Sequence, residues 1–386
     1  MANPLLLGLF YAAIFVGNGA SSPYGPVWFH HRGLTGTQIG WILAAPMLAR
    51  IVMGPAIAMW ADSYRLRRTP IMLLSLVTAA GYVLLAPQLG FFWWFAVWFV
   101  ANSAFSSLPP LTDVIVLARS RLDGFNYGWP RGMGSAGFIL ANVCMGLILV
   151  RGSPELVLVW IVVAAILAAI GAPLLLPPDP VRSEGGSATL TERMAGLREL
   201  VRDREFMLAA TSAGLIQSAH AFYYGFSALA WKQQGIAESL TGPLWAIGVA
   251  VEIGFLWFME PWRRRLGPRH LLVIGGVGAV IRWTALAFSP PLWLVVALQA
   301  LHALSYCATF IASLQLTERL STQRNASGAQ LVNSALSGGM LSGLATLAAG
   351  MLFDHWGARG YLAMTVMSLA GLAGAFRLYG VRRLDG

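Results

Sequence analysis

Five charged side chains and two histidines fall inside stretches that are otherwise apolar: Arg50, Asp113, Arg131, His220, Glu252, Arg282 and His302. A charge near the middle of a lipid-spanning helix costs about 2.5 to 3.5 kcal/mol on insertion scales. Meeting that cost repeatedly requires partners or a water-filled cavity. Two chemistries suit these residue types. Three arginines face two carboxylates, so complete internal pairing leaves a positive charge that an anionic solute can complete. A glutamate among such groups changes its proton affinity as burial and an approaching arginine act against each other. Glu252 with Arg282 and His302 therefore has the makings of a proton carrier.

The remaining polar residues extend this set. Asp113, in LPPLTDVIVLARSR, lies six residues before Arg119, about 9 Å of helix, and Arg131 lies a few residues into the next apolar run. The pair reads either as a solute site or as a structural ion pair near a mouth. Glu252 is more central, on a helical face with Trp245, Gly248 and Phe255. His220 shares a face with Gln217 and Tyr224 at i−3 and i+4. Tyr11, Asn18 and Ser22 form a polar stripe in the first run, as a solute pathway requires.

The elements that must position these residues are set by composition. Of 386 residues, 57% are hydrophobic and only 11% charged, against about 25% charged in a soluble domain. That excludes an ordinary soluble enzyme. Twelve apolar runs approach or exceed the roughly 20 residues that cross a bilayer: 4–29, 36–60, 70–88, 91–118, 127–150, 155–177, 206–231, 240–260, 270–289, 291–316, 325–352 and 360–379. The sequence thus predicts an all-α integral membrane protein. No basic segment precedes the first run, which is too long for a signal-peptide core and reads as a retained span. Cys144 and Cys307 fall within spans, so neither a disulfide framework nor a thiolate metal site is expected.

The net charge of +10 has a direction. With these spans, nineteen of the 26 basic residues fall on one side, among them Arg65, Arg67, Arg68, Arg119, Arg121, Arg263–Arg265, Arg377, Arg382 and Arg383. Only Arg32, Arg151, Lys232 and Arg359 fall on the other. The positive-inside rule places the nineteen, and both termini, in the cytoplasm. The charge is a topology signal and not a nucleic-acid footprint.

The longest polar segment, PPDPVRSEGGSATLTERMAGLRELVRDRE, divides the spans six and six. This gives an N-terminal six-helix bundle (1–178), a cytoplasmic linker (179–205) and a C-terminal six-helix bundle (206–386). Within the linker, Thr189 and Glu192 have capping-box spacing, and Leu190, Met194, Leu197 and Val201 recur at helical spacing. It reads as a connector, part of it an amphipathic helix on the membrane surface. WFHHRG-LTG at 28–36 echoes WKQQG and LTG at 231–242, as two parallel repeats would, which puts a binding site between the halves. Gly132, Gly134 and Gly137, and Gly338, Gly339, Gly343 and Gly350, read as small-residue packing seams. No HExxH, G-x-S-x-G or GxxxxGK[ST] occurs, and His30-His31 lacks a further ligand at metal spacing, so neither an enzyme nor a metal site is expected.

The six-plus-six plan resembles the major facilitator superfamily. Its loop 2–3 signature is similar to AMWADSYRLRR, with Asp62, Arg67 and Arg68 retained, and Gly350–Gly357, containing Asp354, is a second such fragment. PLTD at 110–113, AHAFYYGFSA at 219–228, LWAIGVAVE at 244–252, IRW at 281–283 and LH at 301–302 resemble the branch of proton symporters holding 3-phenylpropionate permease and, more distantly, lactose permease. The resemblance implies conformational gating at Asp62, Arg67, Arg68 and Asp354. It implies a solute site at Asp113 and Arg131, and proton coupling through Glu252, Arg282 and His302. Ser305 stands where lactose permease has its proton-carrying carboxylate, which leaves Glu252, then Asp113, to carry the proton.

These readings predict a proton-coupled symporter of a small organic solute, an aromatic monocarboxylate such as 3-phenylpropionate, working by alternating access as a monomer in a bacterial inner membrane. Arg131 with Arg50 or Arg282 would meet the carboxylate, and Tyr24, Asn18, His220 and Tyr224 would line the pathway. The expected partners are solute, protons and lipid, with a proton gradient and no cofactor. A sugar or nucleoside symporter, a drug antiporter and a non-transporting receptor or scaffold are the alternatives.

Overall fold

The computed structural model describes residues 3–179, 197–322 and 325–384, and every regular element among them is helical. Among the described residues, nine stretches are long and apolar enough to cross a bilayer, and one of them, Gly328–Gly380, covers two traverses. Arg68–Leu84 is a shorter apolar helix, and Arg204–Ser218 with Ala221–Gln233 makes one traverse in two pieces. The twelve expected spans are all present. Large apolar side chains such as Leu140, Val159, Leu174 and Val366 point outward, as helices in lipid require.

Side-chain caps and backbone breakers set the helix ends. Asn3 accepts from the Leu5 N–H at 2.9 Å and starts α1 (Pro4–His31). Thr35 and Gln38 form a capping box that starts α2 (Gly36–Asp62). The fourth traverse, written above as one run, is two helices, α4 (Phe91–Phe105) and α5 (Leu108–Asp123). Pro109 and Pro110 have no N–H to continue the ladder, and the Ser106 and Ser107 hydroxyls turn back to the Ser103 carbonyl at 3.1 and 3.0 Å. Gly124, with φ 77°, ends α5 in the left-handed conformation that glycine accepts most readily.

The first compact unit is Met1–Ser183 with Trp231–Pro243. In it α1 packs between α6 (Gly128–Leu149) and α7 (Glu155–Leu175), with α3 (Arg68–Leu84) against α7. A Cβ on Gly137 would stand 3.1 Å from the Ala12 carbonyl oxygen, and one on Gly134 3.1 Å from Phe15, so both glycines admit α1. Gly132 and Gly338 face open space and are not part of such a seam. The core joins Leu7, Phe10, Tyr11 and Ile14 to Ile71, Ile115 and Ala168.

The second unit is Glu184–Ala230 with Leu244–Gly386. Its elements include α8 (Arg204–Ser218) and α9 (Ala221–Gln233), followed by α10 (Thr241–Phe258) and α11 (Glu260–Ala287), which is interrupted at Gly267 (φ 72°). Next come α12 (Leu292–Ala300), a π-turn Ala303–Ala308 and α13 (Thr309–Leu320), then α14 (Ala326–Ser334), a second π-turn Ala335–Leu341 and α15 (Ser342–Trp356). The last is α16 (Tyr361–Arg377). Such π-turns disturb the 3.6 period and often accompany functional sites. The Thr189–Glu192 capping pair, with Leu190 and Met194, lies outside the described residues. Residues 197–202 are helical, with Leu200 buried and Val201 exposed.

Candidate functional site

In the second unit, Arg282 of α11 is fully buried. Its Nη1 donates to His302 Nδ1 at 2.9 Å and to Ser305 Oγ at 3.4 Å, and its Nη2 donates to Gln299 Oε1 at 2.9 Å. Its guanidinium carbon lies 4.5 Å from the Tyr223 ring centroid and 4.8 Å from that of Trp283. No carboxylate pairs with it among the described residues. The charge is therefore held by neutral acceptors and two aromatic faces, and the guanidinium is walled off from any solute in this conformation.

Helix register produces this arrangement. Gln299 and His302 lie three residues apart, across the end of α12, and Ser305 follows inside the π-turn. Arg282 reaches them from α11 while His220 approaches from the break between α8 and α9. There the His220 N–H bonds three residues back, to the Gln217 carbonyl, at 3.2 Å.

Arginine only donates, so Arg282 obliges His302 Nδ1 to be an acceptor. While neutral, His302 then carries its single proton on Nε2. That nitrogen lies 3.6 Å from Glu252 Oε2, longer than a hydrogen bond, and the Glu252 side chain keeps 25% exposure. His220 has the reverse arrangement. Its Nδ1 meets the Gln217 carbonyl at 2.9 Å, which only accepts, so the proton sits there and Nε2 is left for the Ser305 hydroxyl at 3.1 Å. The chain Glu252–His302–Arg282–Ser305–His220 thus runs from a partly exposed carboxylate into a fully buried interior.

The structure brings Glu252, Arg282 and His302 together and adds His220 to the same cluster. Tyr224 stacks near His220, with ring centroids 5.8 Å apart. Sequence reasoning missed Gln299 and Tyr223, whose hydroxyl donates to Gln299 Oε1 at 3.0 Å. A lone amide in the apolar run WLVVALQALH was the available signal for Gln299. Ser305, read only as a lost carboxylate, is a buried link between Arg282 and His220.

In the first unit, Asp113 is not ion-paired to Arg119 or Arg131. Tyr11 and Tyr127, the latter at 2.8 Å, both donate to its Oδ1. Its Oδ2 has no hydrogen-bond partner among the described residues. Arg119 instead grips Asp179 through Nε at 2.8 Å and through Nη2, with Asp123 at 3.6 Å. Arg131 lies with its guanidinium 4.4 Å from the Phe15 ring centroid and 5.7 Å from that of Tyr11. The guanidinium has no hydrogen bond or ion pair with a described residue, so its donors remain available.

The other sequence-derived residues have separate places. Tyr24 is buried, donating to the Asn142 carbonyl at 3.0 Å, and so ties α1 to α6. Asn18 Oδ1 accepts from Ser22 at 3.0 Å. Arg50 is exposed on α2, with no hydrogen bond or ion pair to a described residue. Asp62 is exposed at the end of α2 and is not bonded to Arg67 or Arg68. Arg68 caps α7 through the Pro173 and Leu176 carbonyls at 2.9 and 3.3 Å, and the Arg67 N–H reaches the Asp179 carbonyl at 2.9 Å. Asp354 is exposed near the end of α15. No group of three or more metal-ligating side chains occurs among the described residues.

Residues 5–363 match the model of the MFS_1 like family. The chain is 29% identical over 376 residues, 95% of each protein, to the Escherichia coli (strain K12) protein named "Probable 3-phenylpropionic acid transporter". It is 29% identical over 386 residues to the maltose permease of Geobacillus stearothermophilus, covering 96% of this chain and 93% of that one. Among solved structures it resembles the nucleoside transporter NupG, with TM-score 0.84 at 15% identity over 98% of this chain and 99% of that one. It also resembles a bacterial homolog of the lysosomal transporter Spinster, with TM-score 0.74 at 16% identity over 99% and 96%.

Proposed function

This chain belongs to the MFS_1 like family, a secondary transporter of the major facilitator fold, and on that footing we propose that it couples the entry of protons to uptake of a small organic carboxylate. The observation that carries this reading is the buried Arg282, held without a carboxylate and linked through His302 to the partly exposed Glu252. Glu252 takes up a proton from the open side. Protonation removes the negative charge that His302 Nε2–H faces, and deprotonation restores it. Arg282 keeps His302 in the orientation that senses this change.

The solute end of the reading falls to Arg131. Arg282 is covered on both faces, whereas Arg131 rests on Phe15 with its donors unused, which suits an edge-on carboxylate beside an aromatic ring. The relative named for 3-phenylpropionic acid fits that chemistry. We place the protein in a bacterial inner membrane as a monomer with both termini cytoplasmic. It cycles by alternating access between its two six-helix halves and needs no cofactor beyond the gradient.

A second reading rests on Asp113 Oδ2, the open acceptor beside two tyrosines. It suits the hydroxyls of a neutral sugar, and one relative is named a maltose permease. Uptake of labelled 3-phenylpropionate and of labelled maltose into proteoliposomes, with an inward proton gradient and empty liposomes as the leak control, separates the two. Protein-dependent uptake of the acid alone supports the first reading. Uptake of maltose alone overturns it.

A further inference from the structure

Gln299 is a fully buried amide whose three contacts leave it only one orientation. Its Nε2 donates to the Val295 carbonyl, one turn back on α12, at 3.1 Å. Its Oε1 receives Arg282 Nη2 at 2.9 Å and the Tyr223 hydroxyl at 3.0 Å. The Val295 carbonyl only accepts and Arg282 only donates, so the amide cannot be turned over without placing like groups together.

The consequence lies on the other side of the guanidinium. The fork is planar, so fixing Nη2 on Gln299 fixes the plane and direction of Nη1, which reaches His302 Nδ1 at 2.9 Å. We propose that Gln299 is the positioning residue of the relay: by holding Arg282 in register it keeps His302 as the Nε2–H tautomer, with its only proton facing Glu252. His220, whose ring centroid lies 5.5 Å from that of His302, is held as the opposite, Nδ1–H tautomer by the Gln217 carbonyl. Two neighbouring histidines are thus locked in opposite tautomers by an obligatory donor and an obligatory acceptor. The consequence for transport rests on the reading of Glu252 as proton carrier; the tautomers do not.

The test is nitrogen-15 magnetic resonance of histidine-labelled protein in bilayers, with His302→Asn and His220→Asn used to assign the two rings among the six histidines. The native chain gives Nε2–H for His302 and Nδ1–H for His220. Gln299→Leu turns His302 into a mixture while leaving His220 unchanged. Gln299→Glu, which keeps an acceptor for Arg282, preserves the His302 signal. In parallel, gradient-driven solute uptake falls by about ten- to a hundredfold in Gln299→Leu, the range expected from one lost hydrogen bond to a charged group.

A His302 ring carrying Nδ1–H in the native chain overturns the proposal. So does a folded Gln299→Leu protein with an unchanged tautomer or undiminished uptake. If Gln299→Leu does not fold, the native spectrum and Gln299→Glu still decide it. Absence of gradient-driven uptake by the native chain, with the tautomers as stated, removes the transport reading and leaves the positioning role standing.

Discussion

Arg282 Nη1 lies 2.9 Å from His302 Nδ1, and this one contact orders the cluster around it. It makes the histidine an acceptor on one side and, while the ring is neutral, a donor on the other, toward Glu252. Arg282→Ala leaves His302 Nδ1 buried without its donor, at a cost of about 1 to 3 kcal/mol, and leaves Gln299 Oε1 with only the Tyr223 hydroxyl. Arg282→Lys keeps the charge, but a single ammonium cannot reproduce the planar fork that reaches both. Thermal unfolding in detergent is expected to rank native above lysine above alanine. Both variants should lose gradient-driven uptake.

Arg131 carries the opposite expectation. It has no polar partner among the described residues and rests on Phe15, so Arg131→Gln should leave the unfolding midpoint nearly unchanged. The KM for an aromatic carboxylate should rise about ten- to a hundredfold, the loss of a hydrogen bond to a charged group. The KM for the corresponding amide should not move. Equal losses for acid and amide would mean that Arg131 does not meet the carboxylate.

Most of the architecture was legible because lipid imposes length and apolarity on every traverse, and those are properties of composition and run length. The breaks were less legible. Pro109-Pro110 announces the break in the fourth traverse, but nothing in ALSYCA or ALSGGML signals a π-turn. Glu252, Arg282 and His302 stood out because each is costly in an apolar helix. Gln299 did not, since neutral polar residues are common in such helices, and Ser305 stood out only as a departure from the resemblance. The partners of Asp113 were hidden for another reason: Tyr11 is 102 residues away, and only packing of α1 against α5 brings it near.

Away from the spans, Asp203 caps α8 and pairs with Arg383 at 2.7 Å. Burial works to raise its carboxyl, but the hydrogen bond and charge of Arg383, with the Phe206 and Glu205 N–H groups, outweigh it and hold Asp203 below its ordinary value. The pair's stability is therefore fully present above the unfolded-state value of about 3.9 and is lost as pH falls through the lower folded-state value. Arg383 is 47% exposed, so Arg383→Gln should cost only about 0.2 to 1 kcal/mol at neutral pH. The gap between native and variant unfolding midpoints should stay constant from pH 7 to about pH 5 and narrow as pH falls below about 4. A gap that persists there would assign the effect to packing.

The central claim is that Glu252 carries the coupled proton, and the most direct measurement is proton movement driven by solute. Proteoliposomes in weakly buffered medium, with no imposed gradient, are given an inward gradient of solute, and external pH is followed. The native protein should alkalinise the medium as solute enters, above the change in empty liposomes. Glu252→Gln should admit solute without that change. Alkalinisation by Glu252→Gln equal to that of the native protein would contradict the claim.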